Sequence, residues 1–177
     1  MARWVTGLAV VVAAAALAPN ALAGIVRVNS GDAAYTAQSG EKWQADSYYS
    51  GGALGTTSAA IGKTTDPALY QSERWGGFSY SIPVANGTYD VRLHFVELYY
   101  GSPCAGKRVF SVDVLDTSAS PDLANIDICA AVGPNNAYVR TVQGVSVSDG
   151  SLDLKTLYGP ADDPELAAVE VVPAGGP

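Results

Sequence analysis

Apolar and polar positions alternate along most of this chain: Phe78, Tyr80 and Ile82 are spaced by serines, and Val91, Leu93 and Phe95 by Arg92 and His94. A period of two places the apolar set on one face, as in a half-buried β-strand. RVFSVDVL repeats the pattern, with Val109, Ser111 and Asp113 on one face and Phe110, Val112 and Val114 on the other. GIVRVNSG, IDICAAVG, YVRTVQGVSVSDGSLDLKTLYG and LAAVEVVP complete the series, and no long 3.6-residue period interrupts it. Asn86-Gly87 and Ser148-Asp149-Gly150 stand between alternating runs and predict β-hairpins, because these residues tolerate the turn's backbone angles. DTSASPDLAN reads as a polar connection. The segment from Ser47 to Pro67 lacks strand character and predicts a long loop, which in a compact domain is functional or disordered. The expected fold is all-β, an antiparallel two-sheet β-sandwich with its loops gathered at the rims.

Length and composition narrow this further. A chain of 177 residues, 48% hydrophobic and 15% charged, holds one sizeable core, and 19 glycines and 10 prolines supply turns. Residues 1–23 carry Arg3, an apolar stretch from Leu8 to Leu17 and the small-residue ending ALA. That layout predicts a secretory signal peptide cleaved before Gly24, with an uncleaved membrane anchor as the alternative. The domain then runs over 24–173, with 174–177 as a frayed tail. Without Arg3 the balance is 10 − 1 = 9 basic against 17 acidic residues, a net charge of −8. Nucleic acid and anionic lipid are poor partners for such a chain. Secretion makes pairing the economical reading of Cys104 and Cys129, two free buried thiols being the alternative.

Candidate chemistry is sparse. His94, the single histidine, lies within a strand with no nucleophile motif around it and reads as a hydrogen-bonded strand residue. No metal-ligand cluster is legible, although a calcium site of carboxylates and carbonyls leaves weaker traces. Glu97, Asp113, Asp127, Asp162 and Asp163 are the carboxyls a glycosidase pair would draw on, and nothing in the sequence brings two of them together. Glu97 reads instead as a buried acid paired with Arg74 or Arg92, and Asp127 as a turn or strand-end residue. Aromatic placement is more informative. Tyrosines (10) and tryptophans (3) outnumber phenylalanines (3), and Tyr48, Tyr49, Trp75, Tyr99, Tyr100 and Tyr158 stand beside glycines or turns. Rings with an apolar body and a wet edge suit a pyranose, whose C–H face stacks while its hydroxyls take hydrogen bonds.

VRVNSGD, GEKWQADSYYSGG, LYQSERWGGFSYSIPVANGTYDVRLHFVELYY, KRVFSVDV, DICAAVG and DGSLDLKTLYG with DDPELAAVEV occur in this order, and together they resemble the malectin domain, a carbohydrate-binding module. The resemblance spans about Ile25 to Val172 and is most specific in LYQSERWG and LHFVELYY. It implies a jelly-roll-like sandwich of the lectin or galactose-binding type that binds glucose-containing oligosaccharides with neither catalysis nor a cofactor. Carried over by motif, it implies a sugar site of Tyr49, Trp75, Tyr99, Tyr100 and Asp162, with Tyr48 and Asp163 as the alternatives at the first and last positions. Trp75 stands where the family has a tyrosine, which enlarges the stacking surface and removes a hydroxyl. The expected location is extracellular rather than the endoplasmic reticulum lumen, because no membrane segment or retention signal follows VVPAGGP. A small glycoside hydrolase and an adhesive wall protein are the competing functions, and Asn86-Gly87-Thr88 is a possible N-glycosylation site at Asn86.

Overall fold

A computed structural model of the chain describes residues 24–114 and 121–175. The expected signal peptide lies outside the described residues, as do positions 115–120 and the last two residues of the expected tail. The strands are β1 (Val26–Asn29), β2 (Tyr35–Thr36), β3 (Lys42–Trp43), β4 (Tyr49–Thr56), β5 (Ser72–Pro83), β6 (Gly87–Phe95), β7 (Val109–Val114), β8 (Leu123–Ile126), β9 (Tyr138–Val147), β10 (Ser151–Ala161), β11 (Glu165–Leu166) and β12 (Ala168–Pro173). A 3-10 turn over Pro67–Tyr70 precedes β5, and one short helix, α1 (Ile128–Val132), precedes β9.

The strands form an antiparallel sandwich. One sheet has the order β1-β12-β6-β9; the other has β11-β5-β10-β7-β8, with β4 also paired to β5. The alternating residues read from the sequence are the ones that meet between the sheets. Val91, Leu93 and Phe95 of one sheet face Tyr80, Ile82, Phe110, Val112 and Val114 of the other, all at 1% exposure or less. The outer face of the first sheet is covered in turn by a smaller cluster around Trp43, Leu69, Tyr70 and Ala168. That second cover explains why β12 is buried on both faces and reads as a continuous apolar run.

Neither expected hairpin forms. β5 lies in the larger sheet and β6 in the smaller one, so residues 84–86 carry the chain across the core. The same holds for β9 and β10, joined through Ser148-Asp149-Gly150. The two crossings run side by side: Val84 N donates to Gly150 O at 3.1 Å, and Asn86 Nδ2 to Ser148 O at 2.9 Å. Asn-Gly and Asp-Gly encode a tight change of direction, but which sheet receives the next strand is decided by distant residues. Asn86 itself is exposed at this corner.

Three other expectations change. The Ser47 to Pro67 segment contains a strand, β4, whose register on β5 runs from Tyr49↔Tyr80 to Thr56↔Ser72 with a bulge between Gly51 and Ala53. Seven of its eight residues are exposed, so it carries no alternation to read. The polar connection contains β8, and IDICAAVG forms α1 rather than a strand. Asp127, as expected, ends a strand: it caps α1 by accepting from Ala130 N at 2.8 Å and also accepts from Gly106 N at 2.7 Å. Cys104 and Cys129 are disulfide-bonded, tying that helix to the segment that follows Tyr100.

His94 projects from the outer face of the smaller sheet, where Tyr70 Oη and His94 Nδ1 lie 2.8 Å apart. The expectation of a hydrogen-bonded strand residue is met at this nitrogen. Nε2 is buried without a partner among the described residues. Burial pushes the imidazole pKa down to about 4, so it is neutral at physiological pH.

Candidate functional site

The long strand β5 carries Trp75 on its outward side, while β6 runs on into the segment that ends in Tyr99 and Tyr100. These two places are far apart in sequence, yet one cleft of about 430 Å³ is lined by Trp75, Leu98, Tyr99, Tyr100, Arg108, Asp162 and Asp163, with Gly55, Thr56 and Glu73 on its remaining side. Trp75 is 37% exposed and Tyr99 76% exposed. The two tyrosine rings stand edge to face, with centroids 4.9 Å apart. Of the five expected site residues, four therefore border one cavity. Both members of the Asp162/Asp163 alternative border it as well.

Tyr49 does not line the cleft. It begins β4, whose far end supplies Gly55 and Thr56, and the guanidinium of Arg74 sits 3.4 Å from its ring centroid. Tyr48, the alternative, is exposed, with φ at +66° and its hydroxyl 3.5 Å from Gln44 Oε1. The sequence offered a tyrosine before glycine as the only signal there. Strand pairing moves that position away from the cavity.

Beneath the aromatic pair lies a buried charge network that organises both walls. One carboxylate oxygen of Glu97 accepts hydrogen bonds from Tyr99 N at 2.9 Å and Tyr100 N at 3.0 Å. Its other oxygen meets Arg108 Nε at 2.7 Å. Arg108 in turn donates to the Asp163 carbonyl, and its second amino group lies 3.5 Å from Asp162 Oδ2. Asp162 also acts on the Tyr100 hydroxyl and holds that phenol above its ordinary pKa. Glu97 and Arg108 thus fix the tyrosine backbone on one side and the aspartate on the other. The expected partners of Glu97 are corrected here: Arg74 pairs with Asp46 at 2.6 Å, and Arg92 with Glu170 at 2.9 Å. Arg108 escaped the sequence reading because it precedes an alternating run and gives no sign of turning inward.

Three buried glutamates surround that single guanidinium. Glu73 on β5 and Glu165 on β11 act on each other electrostatically, and both feel Glu97 and Arg108; one carboxyl oxygen of each is buried without a partner among the described residues. One positive charge cannot balance three carboxylates in a low-dielectric site, so the pair retains protons. Burial first of all, with Glu97 adding to it, pushes the Glu73 pKa up to about 7. Glu165 is raised well above the ordinary value by burial and by Glu73. Folding therefore binds protons that the unfolded chain releases above about pH 4.5, and stability falls as pH rises through the folded-state values. His94 has the opposite sign, contributing stability that is lost as pH falls from 6.5 towards about 4. Urea unfolding from pH 5 to pH 8 should therefore show the Glu73 contribution declining as pH rises to and through about 7, while the His94 contribution grows over the lower part of that range. Glu73→Gln should flatten that decline; an unchanged slope would refute the assignment.

The family model of the Malectin domain matches residues 24–169. A kinesin-like protein of Oryza sativa subsp. japonica, KIN-14E, is 33% identical over 135 residues, which is 72% of this chain and 12% of that protein. Kinesin-like protein KIN-14R of Arabidopsis thaliana is 34% identical over 109 residues, covering 60% of this chain and 10% of its own length. The chain thus spans about a tenth of these relatives. Among solved structures, the ANXUR1 extracellular domain from Arabidopsis thaliana superposes with a TM-score of 0.69 at 17% identity, over 82% of this chain and 47% of that one. A β-glucuronidase of Bacteroides uniformis superposes at 0.70 with 19% identity, over 84% of this chain and 18% of that one. At these identities the two structures speak for the shared sandwich alone.

Proposed function

The chain belongs to the malectin domain family, and from that premise we propose that it is a secreted carbohydrate-binding module whose cleft takes a neutral, glucose-containing oligosaccharide. The observation that carries this reading is the convergence of Trp75, Tyr99, Tyr100 and Asp162 on one open cavity. A pyranose packs its C–H face on Trp75, against a second wall of Tyr99 and Tyr100. Asp162 accepts hydrogen bonds from the sugar hydroxyls, and its own contact with Arg108 keeps it oriented. Asp162 and Asp163 outnumber Arg108 along the lining, which favours neutral sugars over acidic ones. The disulfide and the leader-like first residues support a location outside the reducing cytosol.

Hydrolysis is the competing reading, because an acid that keeps its proton near neutral pH sits in the cleft wall. A glycosidase, however, works with two carboxyls separated by about 5 to 9 Å so that sugar or water fits between them. Glu73 instead has as its neighbouring acid Glu165, which is fully buried and out of reach of a sugar in the cleft. The domain acts by binding.

Calorimetric titration of the mature domain with glucose oligosaccharides tests the proposal. Trp75→Ala and Asp162→Ala should each weaken binding at least tenfold while leaving the unfolding midpoint near wild type. Undiminished binding in both variants would remove these residues from the site, and released reducing sugar would favour the hydrolase.

A further inference from the structure

One exposed aromatic ring beside the cleft is not used by the lining described above. Tyr158 lies near the end of β10, four residues before Asp162, and is 63% exposed. An exposed tyrosine is ordinarily free to rotate, but this one is anchored. Its hydroxyl accepts a hydrogen bond from Gly77 N at 2.9 Å. A Cβ on Gly77 would meet the ring at 3.0 Å, so the ring covers the place where a side chain would stand.

That anchorage sets its position relative to Trp75. Along β5, Trp75 and Gly77 are exposed while Gly76 and Phe78 are buried, so Trp75 and Gly77 share the outward face. Gly76 lies between them at φ +91°, where β5 is bulged against β4, so the two positions are at most about 7 Å apart. The Tyr158 ring, resting on Gly77, therefore stands on the same face as Trp75, two residues further along β5. The anchoring bond uses an acceptor position of the Tyr158 hydroxyl, and its own hydrogen stays available for a sugar oxygen. A surface ring held upright before any ligand arrives loses little freedom on stacking, so more of the contact energy survives as affinity.

From this arrangement we propose that Tyr158 forms a second stacking position next to Trp75, extending the site so that it recognises a linear neutral glycan of three or more sugars. The proposal rests on the carbohydrate-binding reading above and specifies the length of ligand that reading leaves open. The chain of the glycan runs from between Trp75 and the Tyr99–Tyr100 pair, past the exposed Gly77, onto Tyr158.

The test is titration of the mature domain with α- and β-linked gluco-oligosaccharides of two to five units. In the linkage that binds, wild-type affinity should rise roughly threefold to tenfold from the dimer to the longer oligomers, the scale expected of one added aromatic contact. Tyr158→Ala should bind the dimer as wild type does and lose that gain, whereas Tyr158→Phe, which keeps the ring, should retain most of it. Equal affinity for all lengths in the wild-type protein would overturn the extension while leaving the sugar site standing, and this reading needs no variant to fold. A full length-dependent gain in Tyr158→Ala would overturn it equally. Failure of the wild type to bind any oligomer would overturn both the sugar site and its extension.

Discussion

Arg108→Met should be among the most damaging single substitutions in this protein, lowering unfolding stability by about 3–5 kcal/mol, the range for removing one partner of a buried ion pair. Arg108 is 6% exposed and Glu97 only 1%. Methionine fills much of the arginine's volume but leaves the Glu97 carboxylate without its 2.7 Å partner, beside Glu73 and Glu165. Binding should be lost as well, because the same guanidinium holds Asp162 and the Asp163 carbonyl. Glu97→Gln should be milder, because an amide oxygen can still accept from Tyr99 N and Tyr100 N. Urea unfolding at pH 5 and pH 8, paired with titration of a gluco-oligosaccharide, measures both effects. A stability of Arg108→Met within 1 kcal/mol of wild type at pH 8 would show that the network does not carry the weight assigned to it.

Reducing the Cys104–Cys129 disulfide should cost about 3 kcal/mol, as expected for a loop of its size. The bond closes a sequence separation of 25 residues that contains β7 and β8, and it joins the segment after Tyr100 to α1. A cross-link of this kind acts mainly by restricting the unfolded chain, so the loss should appear as a lower unfolding midpoint with the folded structure unchanged. Glycan binding should weaken less than stability does. Glu97 still secures the backbone of Tyr99 and Tyr100, and Asp127 still accepts from Gly106 N. Denaturation with and without reductant decides the matter, and identical midpoints would refute the estimate. The double substitution Cys104→Ser with Cys129→Ser gives the same comparison without chemical reduction.

Much of the fold was legible because strand alternation is a local property. Tyr80, Leu93 and Phe110 announced their inward faces through the residues on either side of them, and the core between the two sheets is built from those residues. β4 was illegible for the corresponding reason. With solvent over almost all of it and glycines at its bulge, it has no buried face to leave a pattern. The rim aromatics lay between these cases. Trp75, Tyr99 and Tyr100 were marked by the turns and glycines beside them and by family resemblance, while Tyr49, chosen on the weaker of those signals, is drawn away by its pairing with Tyr80.

The sequence by itself determined that this protein is a β-sandwich with aromatic residues at strand ends, since side-chain period and turn chemistry act over a few residues. Only the tertiary structure decided where those strands go and which charges meet. Asn86-Gly87 turns the chain in either topology, and it is the burial of Val84 and the pairing of β6 with β9 and β12 that send it across to the other sheet. Glu97 had Arg92 on its own strand run and Arg74 on the strand before, yet its partner is Arg108, 11 residues on and just ahead of β7. Those pairings are non-local, set by which surfaces must leave water together, and the shape of the candidate sugar site depends on them.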